Sequence, residues 1–271
     1  MILISRQTRN ASFPTLCSAK NPDSQPRRLR FPTSHRENLR YLKVIGVVAP
    51  ATKTQSPESL TQILYTVNFF KSKAFSDHDF PRLAFVCPQL FSPTFCTSDL
   101  QPVFDFLTLD LAASVEQSRG LVLRFPRILF SDVQHCLRPT LVYLSELGLE
   151  NLQVPTNLNA HLLNTRVHKL EEKIRFLRGV GFSDEESAMI CARMPAIFGY
   201  SVEHNLRPKF GYLVREMRRG VEELLEFPQY FGFSLEKKIV PRHLHLQERG
   251  VRIPLRKMLL WSDQRFYAKW K

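Results

Sequence analysis

The stretch FPRILFSDVQHCLRPTLVYLSELGL (125–149) aligns without a gap onto MPAIFGYSVEHNLRPKFGYLVREM (194–217) at an offset of 69. Under that shift Pro126 falls on Pro195, Ile128 on Ile197, Leu137 on Leu206, Arg138 on Arg207, Pro139 on Pro208 and Leu144 on Leu213. A further shift of 33 adds FPQYFGFSLEKKIVPRHLHLQERG (227–250), with Pro228, Ile239, Pro241, Leu246 and Gly250 in the same slots. Between these copies lies a degenerate one without the prolines. Its Leu170, Ile174, Leu177 and Gly181 follow Leu137, Leu141, Leu144 and Gly148 by 33 residues. Upstream, CPQLFSPTFCTSDLQPVFDFL (87–107) repeats the pattern with one extra residue, and Phe75-Ser76-Asp77 lies over Phe182-Ser183-Asp184. ENLRYLKVIGV, with Leu42 and Gly46, opens the array. The unit is about 33–37 residues long and occurs five to six times, a period that signals a repeat architecture.

Each unit reads as helical. Leu137, Leu141, Leu144 and Leu147 follow the spacing of one apolar helix face. Gly148, Gly181 and Gly250 supply a residue able to take positive φ where a helix ends. Ser183 and Glu186 form a capping box, and Asp184, Glu185 and Glu186 place negative charge in the first turn. That helix must stop near Met194, because Pro195 disfavours helical geometry in the residue before it. A short turn then leads to a cap-like serine, Ser131 or Ser201, and to the next helix. Pro139, Pro208 and Pro241 either open the main part of that helix or kink it. Sustained sheet-like alternation is missing. The expected fold is an all-α solenoid whose stability sums over neighbouring units.

Composition narrows the function. The chain has 271 residues and a formal charge of +13, with 44% hydrophobic residues, which excludes wholesale disorder. The charge is unevenly placed. Residues 1–50 hold nine Lys/Arg against two acids, residues 237–271 hold ten against two, and the body between holds 19 against 21. The first end, rich in Ser, Thr, Arg and Pro, reads as an organelle transit peptide over 1–36, of plastid rather than mitochondrial type. Five cysteines with no CxxC pair fit a reducing compartment and no zinc ribbon. No apolar run reaches the length of a membrane span. Phosphate-cradling glycine loops, HExxH and facing carboxylate pairs are also missing, so neither catalysis, a metal nor a cofactor is expected.

Candidate binding residues come from the repeat register. Arg138 and Arg207 share the slot before the unit's proline, and Lys209 and Arg242 share the slot after it. Side chains recurring at one slot project from one side of a solenoid, so these four are expected to form a stripe that follows phosphates. The tail adds Arg252, Arg256 and Lys257, interleaved with Trp261, Phe266, Tyr267 and Trp270. Solvated helix faces with weak ion pairs are the alternative for each of these cations.

The unit resembles the repeat of the mTERF family, the mitochondrial transcription termination factors and their plant relatives. LRPTLVYLSELGL (137–149), LRPKFGYLVREM (206–217) and FLRGVGFSDEE (176–186) carry the resemblance, and RIPLRKMLLWSDQRFYAKW (252–270) is similar to the tail of plant members. The resemblance implies a curved superhelix of three-helix units with a basic groove for double-stranded nucleic acid. It also implies an organellar protein acting in transcription termination, transcription regulation, or transcript processing and splicing. The chain departs from the pattern in being short and in the proline-free unit at 159–181. The resulting expectation is a transit peptide over 1–36, a repeat array over 37–251 and a basic aromatic cap over 252–271. The protein is expected to be a plastid-stroma or nucleoid monomer that binds double-stranded DNA or structured organelle RNA, with other organelle gene-expression proteins as further partners and no membrane insertion. A protein-interaction scaffold is the alternative function, and the mitochondrion the alternative location.

Overall fold

A computed structural model describes residues 34–51 and 55–271. Most of the segment read as a transit peptide, residues 1–33, lies outside the described residues. His35–Lys271 forms one compact unit, and among its described residues every regular element is helical. This is the all-α repeat solenoid that the sequence pattern predicts.

One local design recurs along the chain. A first helix opens on a serine cap: Ser114 before Val115–Arg124 and Ser183 before Asp184–Arg193, each closing a capping box with the residue three positions on. The residue before the unit's proline then leaves helical geometry. Cys87, Phe125, Met194 and Phe227 adopt nearly the same conformation, with φ between −134° and −141° and ψ between 64° and 76°. Clash with the proline ring explains the uniformity. Pro88, Pro126, Pro195 and Pro228 each start a short 3₁₀ turn, which feeds the second helix.

The second helix opens with a wide i→i+5 turn at Val133–Leu137, Val202–Leu206 and Leu235–Ile239. Leu137, Leu206 and Ile239 donate their N–H to the carbonyls of Asp132, Ser201 and Ser234. Pro139, Pro208 and Pro241 follow at once, at the start of the ordinary α-helical part. The wide turn gives each ring room against the preceding carbonyls, so the prolines open the main helix and do not break it. The N-caps are Asp132, Ser201 and Ser234, each accepting from the backbone N–H three residues on. Ser131 is therefore not the cap of its unit; its hydroxyl meets the Asn164 side chain in the following one.

Gly148, Gly181 and Gly250 take positive φ, at 80°, 109° and 61°, and reverse the chain toward the next unit. Leu137, Leu144, Leu206, Leu213 and Ile239 are fully buried and Leu246 nearly so. Leu141 and Leu147 are only half-buried, and Thr140 is buried in their place. The inward face of the second helix therefore runs through 137, 140 and 144, rotated slightly from the face expected. The proline-free unit keeps two helices, Asn157–Leu163 and Val167–Gly179, joined directly. Leu255–Leu260 and Asp263–Lys269 follow the last full unit in the same proline-free style.

Candidate nucleic-acid interface

Arg138 and Arg207 lie on the surface, as their shared slot suggests, but neither carries a free charge. Arg138 Nε donates to Asp110 Oδ2 at 2.8 Å, and its second nitrogen reaches Gln134 at 3.0 Å. Arg207 makes a two-pronged contact with Glu203 at 2.9 and 3.0 Å, and its guanidinium sits 5.6 Å over the Phe176 ring. That contact holds the Glu203 carboxyl below the usual range. A phosphate approaching either arginine competes with a carboxylate already in place.

Lys209 and Arg242, expected in the stripe that follows phosphates along one side of the solenoid, are interior residues at 6% and 1% exposure. Lys209 Nζ donates to the Phe231 carbonyl at 2.6 Å and to Asn205 Oδ1 at 2.9 Å, and burial lowers its pKa. Arg242 donates to the carbonyls of Met258 and Trp261 and to the Asp263 carboxylate, with its guanidinium 4.6 Å over the Phe266 ring. In the first copy the slot holds Thr140, also buried, which donates to the Thr165 carbonyl at 2.8 Å. In these three copies the slot after the proline thus carries a donor that pins the second helix to the junction between the two helices that follow it.

A helix spacing betrays this placement. Lys209 lies three residues after Leu206 and four before Leu213, and Arg242 sits likewise between Ile239 and Leu246. Both neighbours are core residues, so the slot between them faces the core.

The tail residues differ from the slot residues. Arg252, Arg256 and Lys257 are all exposed. Arg252 has only the Arg218 carbonyl at 3.4 Å and a long approach, 3.9 Å, to Glu223, whose other oxygen is taken by Arg219. Arg256 and Lys257 have no acidic partner among the described residues. Residues 252–271 hold six Lys/Arg and one acid, Asp263. That acid is engaged by buried Arg242, which holds its carboxyl below the usual aspartate range.

One cation that register reasoning passed over also matters. Arg215 lies two helical turns after Arg207, so the two share a face. They line one groove of about 560 Å³ between Val180 of the preceding unit and Leu235 of the following one, with Phe210, Tyr212 and Glu216. Arg215 is exposed and has no ion-pair partner among the described residues.

Other groups are engaged structurally. Arg193 caps the carbonyls of Leu225 and Glu226, and Arg219 donates to the Ile253 carbonyl. Cys191 is buried, which pushes its thiol up to about 12 and keeps it protonated at neutral pH. Among the described residues no group of three His, Cys, Asp or Glu is placed to hold a metal, and no helix is long and apolar enough to cross a membrane.

The mTERF family model matches residues 119–267. The chain belongs to the mTERF family. Its relatives include the chloroplastic transcription termination factor MTERF2 of Arabidopsis thaliana, 40% identical over 98 residues, or 36% of this chain and 15% of the relative. Chloroplastic MTERF8 of the same plant is 24% identical over 262 residues, covering 82% of this chain and 51% of the relative. Chloroplastic MTERF5 is 28% identical over 135 residues, 50% of this chain and 27% of the relative. The chain thus spans about half, or less, of the length of these curated relatives. Their chloroplastic names agree with the plastid location read from the sequence.

Proposed function

We propose that this mTERF chain is a plastid protein that binds double-stranded DNA or structured RNA without catalysis. Occupying a site, it would obstruct an elongating polymerase or guide transcript maturation, including rRNA maturation or intron splicing. The observation that carries this reading is the charge balance of residues 252–271, where six cations face outward and the one carboxylate is neutralised from inside the stack. Arg252, Arg256 and Lys257 are the proposed primary phosphate contacts. Arg215, at the groove between units, extends the positive surface onto the array, and Arg138 and Arg207 join where a phosphate displaces Asp110 or Glu203. The array over 37–251 supplies the frame and 252–271 the cap. Phosphate contacts position a protein and carry little base information, which accommodates both DNA and RNA.

The test is duplex binding of the purified protein against salt. The logarithm of affinity should fall linearly with the logarithm of salt concentration, with a slope near −0.9 per phosphate contact. Binding indifferent to salt would refute the proposal. A second reading, a protein-interaction scaffold, draws on Phe85 and Leu109, which are 88% and 78% exposed on the array. Loss of a partner protein on Phe85→Ser with unchanged nucleic-acid affinity would favour it.

A further inference from the structure

The tail combines two kinds of exposed side chain, and a duplex uses only one of them. On Leu255–Leu260 the outward positions are Arg256, Lys257 and Leu260, the last 52% exposed. On Asp263–Lys269 only Phe266 is buried, leaving Arg265, Tyr267 and Lys269 outward, with Tyr267 37% exposed. Arg265 lies 4.3 Å over the ring of half-buried Trp261. Tyr267 stands edge-on to the His245 ring at 4.8 Å, and His245 Nε2 donates to the Trp270 carbonyl. Arg242 fixes the junction of the two helices through the Met258 and Trp261 carbonyls, so Trp261 is presented on a pinned backbone.

A paired duplex offers such a surface phosphates and sugars while its base faces stay stacked inside. Leu260 and the uncovered parts of Trp261 and Tyr267 would then remain against water. An unpaired strand meets both needs, since its phosphates answer the cations and its base faces stack on aromatic rings and on an arginine plane.

We propose that the C-terminal helices form a platform for single-stranded nucleic acid, with Trp261, Arg265 and Tyr267 as stacking residues and Arg256 and Lys257 as phosphate contacts. This rests on the nucleic-acid reading above and adds the strand state of the ligand. The cap would hold an unpaired segment next to structure bound by the array, as at an RNA stem edge or a melted DNA tract.

The test uses the full chain with fluorescently labelled oligouridylate and a labelled blunt duplex of equal nucleotide number, read by anisotropy at one salt concentration. Trp261→Leu/Tyr267→Leu should weaken single-strand binding tenfold or more, because each base–aromatic stack contributes about 1–3 kcal/mol. Duplex binding should change less than twofold. Trp261→Phe keeps a ring and should restore most of the loss, which a merely misfolded tail would not do. Arg256→Gln/Lys257→Gln should weaken both ligands and flatten both salt slopes.

Equal losses for the two ligands in the aromatic variant would overturn the platform, as would unchanged single-strand affinity at an unchanged urea midpoint. A wild-type chain that binds duplex but no single strand overturns this inference alone. One that binds neither overturns the nucleic-acid reading as well. Displacement of the oligonucleotide by phosphatidylglycerol vesicles, with the same dependence on Trp261, would assign the patch to a lipid surface and refute the proposal.

Discussion

Replacing Arg242 by Met separates the structural role of this cation from any role in binding. Methionine keeps most of the aliphatic volume but removes every donor, leaving the Met258 and Trp261 carbonyls without their partner. An acceptor left unsatisfied in the interior costs about 1–3 kcal/mol. Loss of the contact with Phe266, 4.6 Å from the guanidinium, adds about 0.5–2 kcal/mol. Against this, methionine removes a buried charge whose Nε has no acceptor, which returns part of the desolvation cost. The expected net loss is about 2–4 kcal/mol. Asp263 has a side chain 76% exposed, so it rehydrates freely and adds little.

Stability in a stack is carried by neighbouring contacts, so the loss should appear first as detachment of residues 252–271. Urea unfolding gives the magnitude. Limited trypsinolysis gives the place, with faster cleavage after Arg252, Arg256 and Lys257. Arg138→Gln serves as the comparison, because its exposed pair with Asp110 contributes at most about 1 kcal/mol. An Arg242→Met protein within about 0.5 kcal/mol of wild type, with an equally protected tail, would refute the assignment of this residue as an interior pin.

Three other outcomes are expected. Gly181→Ala should destabilise by about 1–2 kcal/mol through its φ of 109° alone, since an added Cβ meets nothing within 4 Å, whereas Gly211→Ala, at φ −57° within a helix, should stabilise by about 0.5–1 kcal/mol; thermal melts decide both. Burial, aided by the nearby Arg219 charge, holds the His243 imidazole below its ordinary pKa, with its Nδ1 hydrogen-bonded to the Tyr212 hydroxyl at 2.9 Å. The unfolded chain therefore takes up a proton that the native state refuses, so stability should fall as pH drops below about 6.5, and His243→Phe should flatten that part of the profile. In duplex binding, Arg256→Gln/Lys257→Gln should lower the salt slope by about 2, and Lys209→Met should leave it unchanged because that ammonium is buried.

Much of the fold was legible because it is set by neighbours along the chain. The break at Met194 before Pro195, the Ser183 capping box and the glycine reversals at Gly148, Gly181 and Gly250 depend on residues within four positions of one another. The repeat register itself is a property of the letters alone.

The binding surface was legible only in part, since charge type is written in the sequence but charge availability is not. Lys209 and Arg242 share a slot and a charge sign with surface residues, yet the face chosen by Leu206, Leu213, Ile239 and Leu246 turns them inward. Arg138 is neutralised by Asp110 from the preceding unit, 28 residues away, and Asp263 by Arg242 from the last helix of the array. Sequence by itself determined the helices, most of their ends and the repeating stack. Tertiary structure decided which cations remain unspent, because an ion pair or a buried donor requires two distant segments to meet, and only packing brings them together.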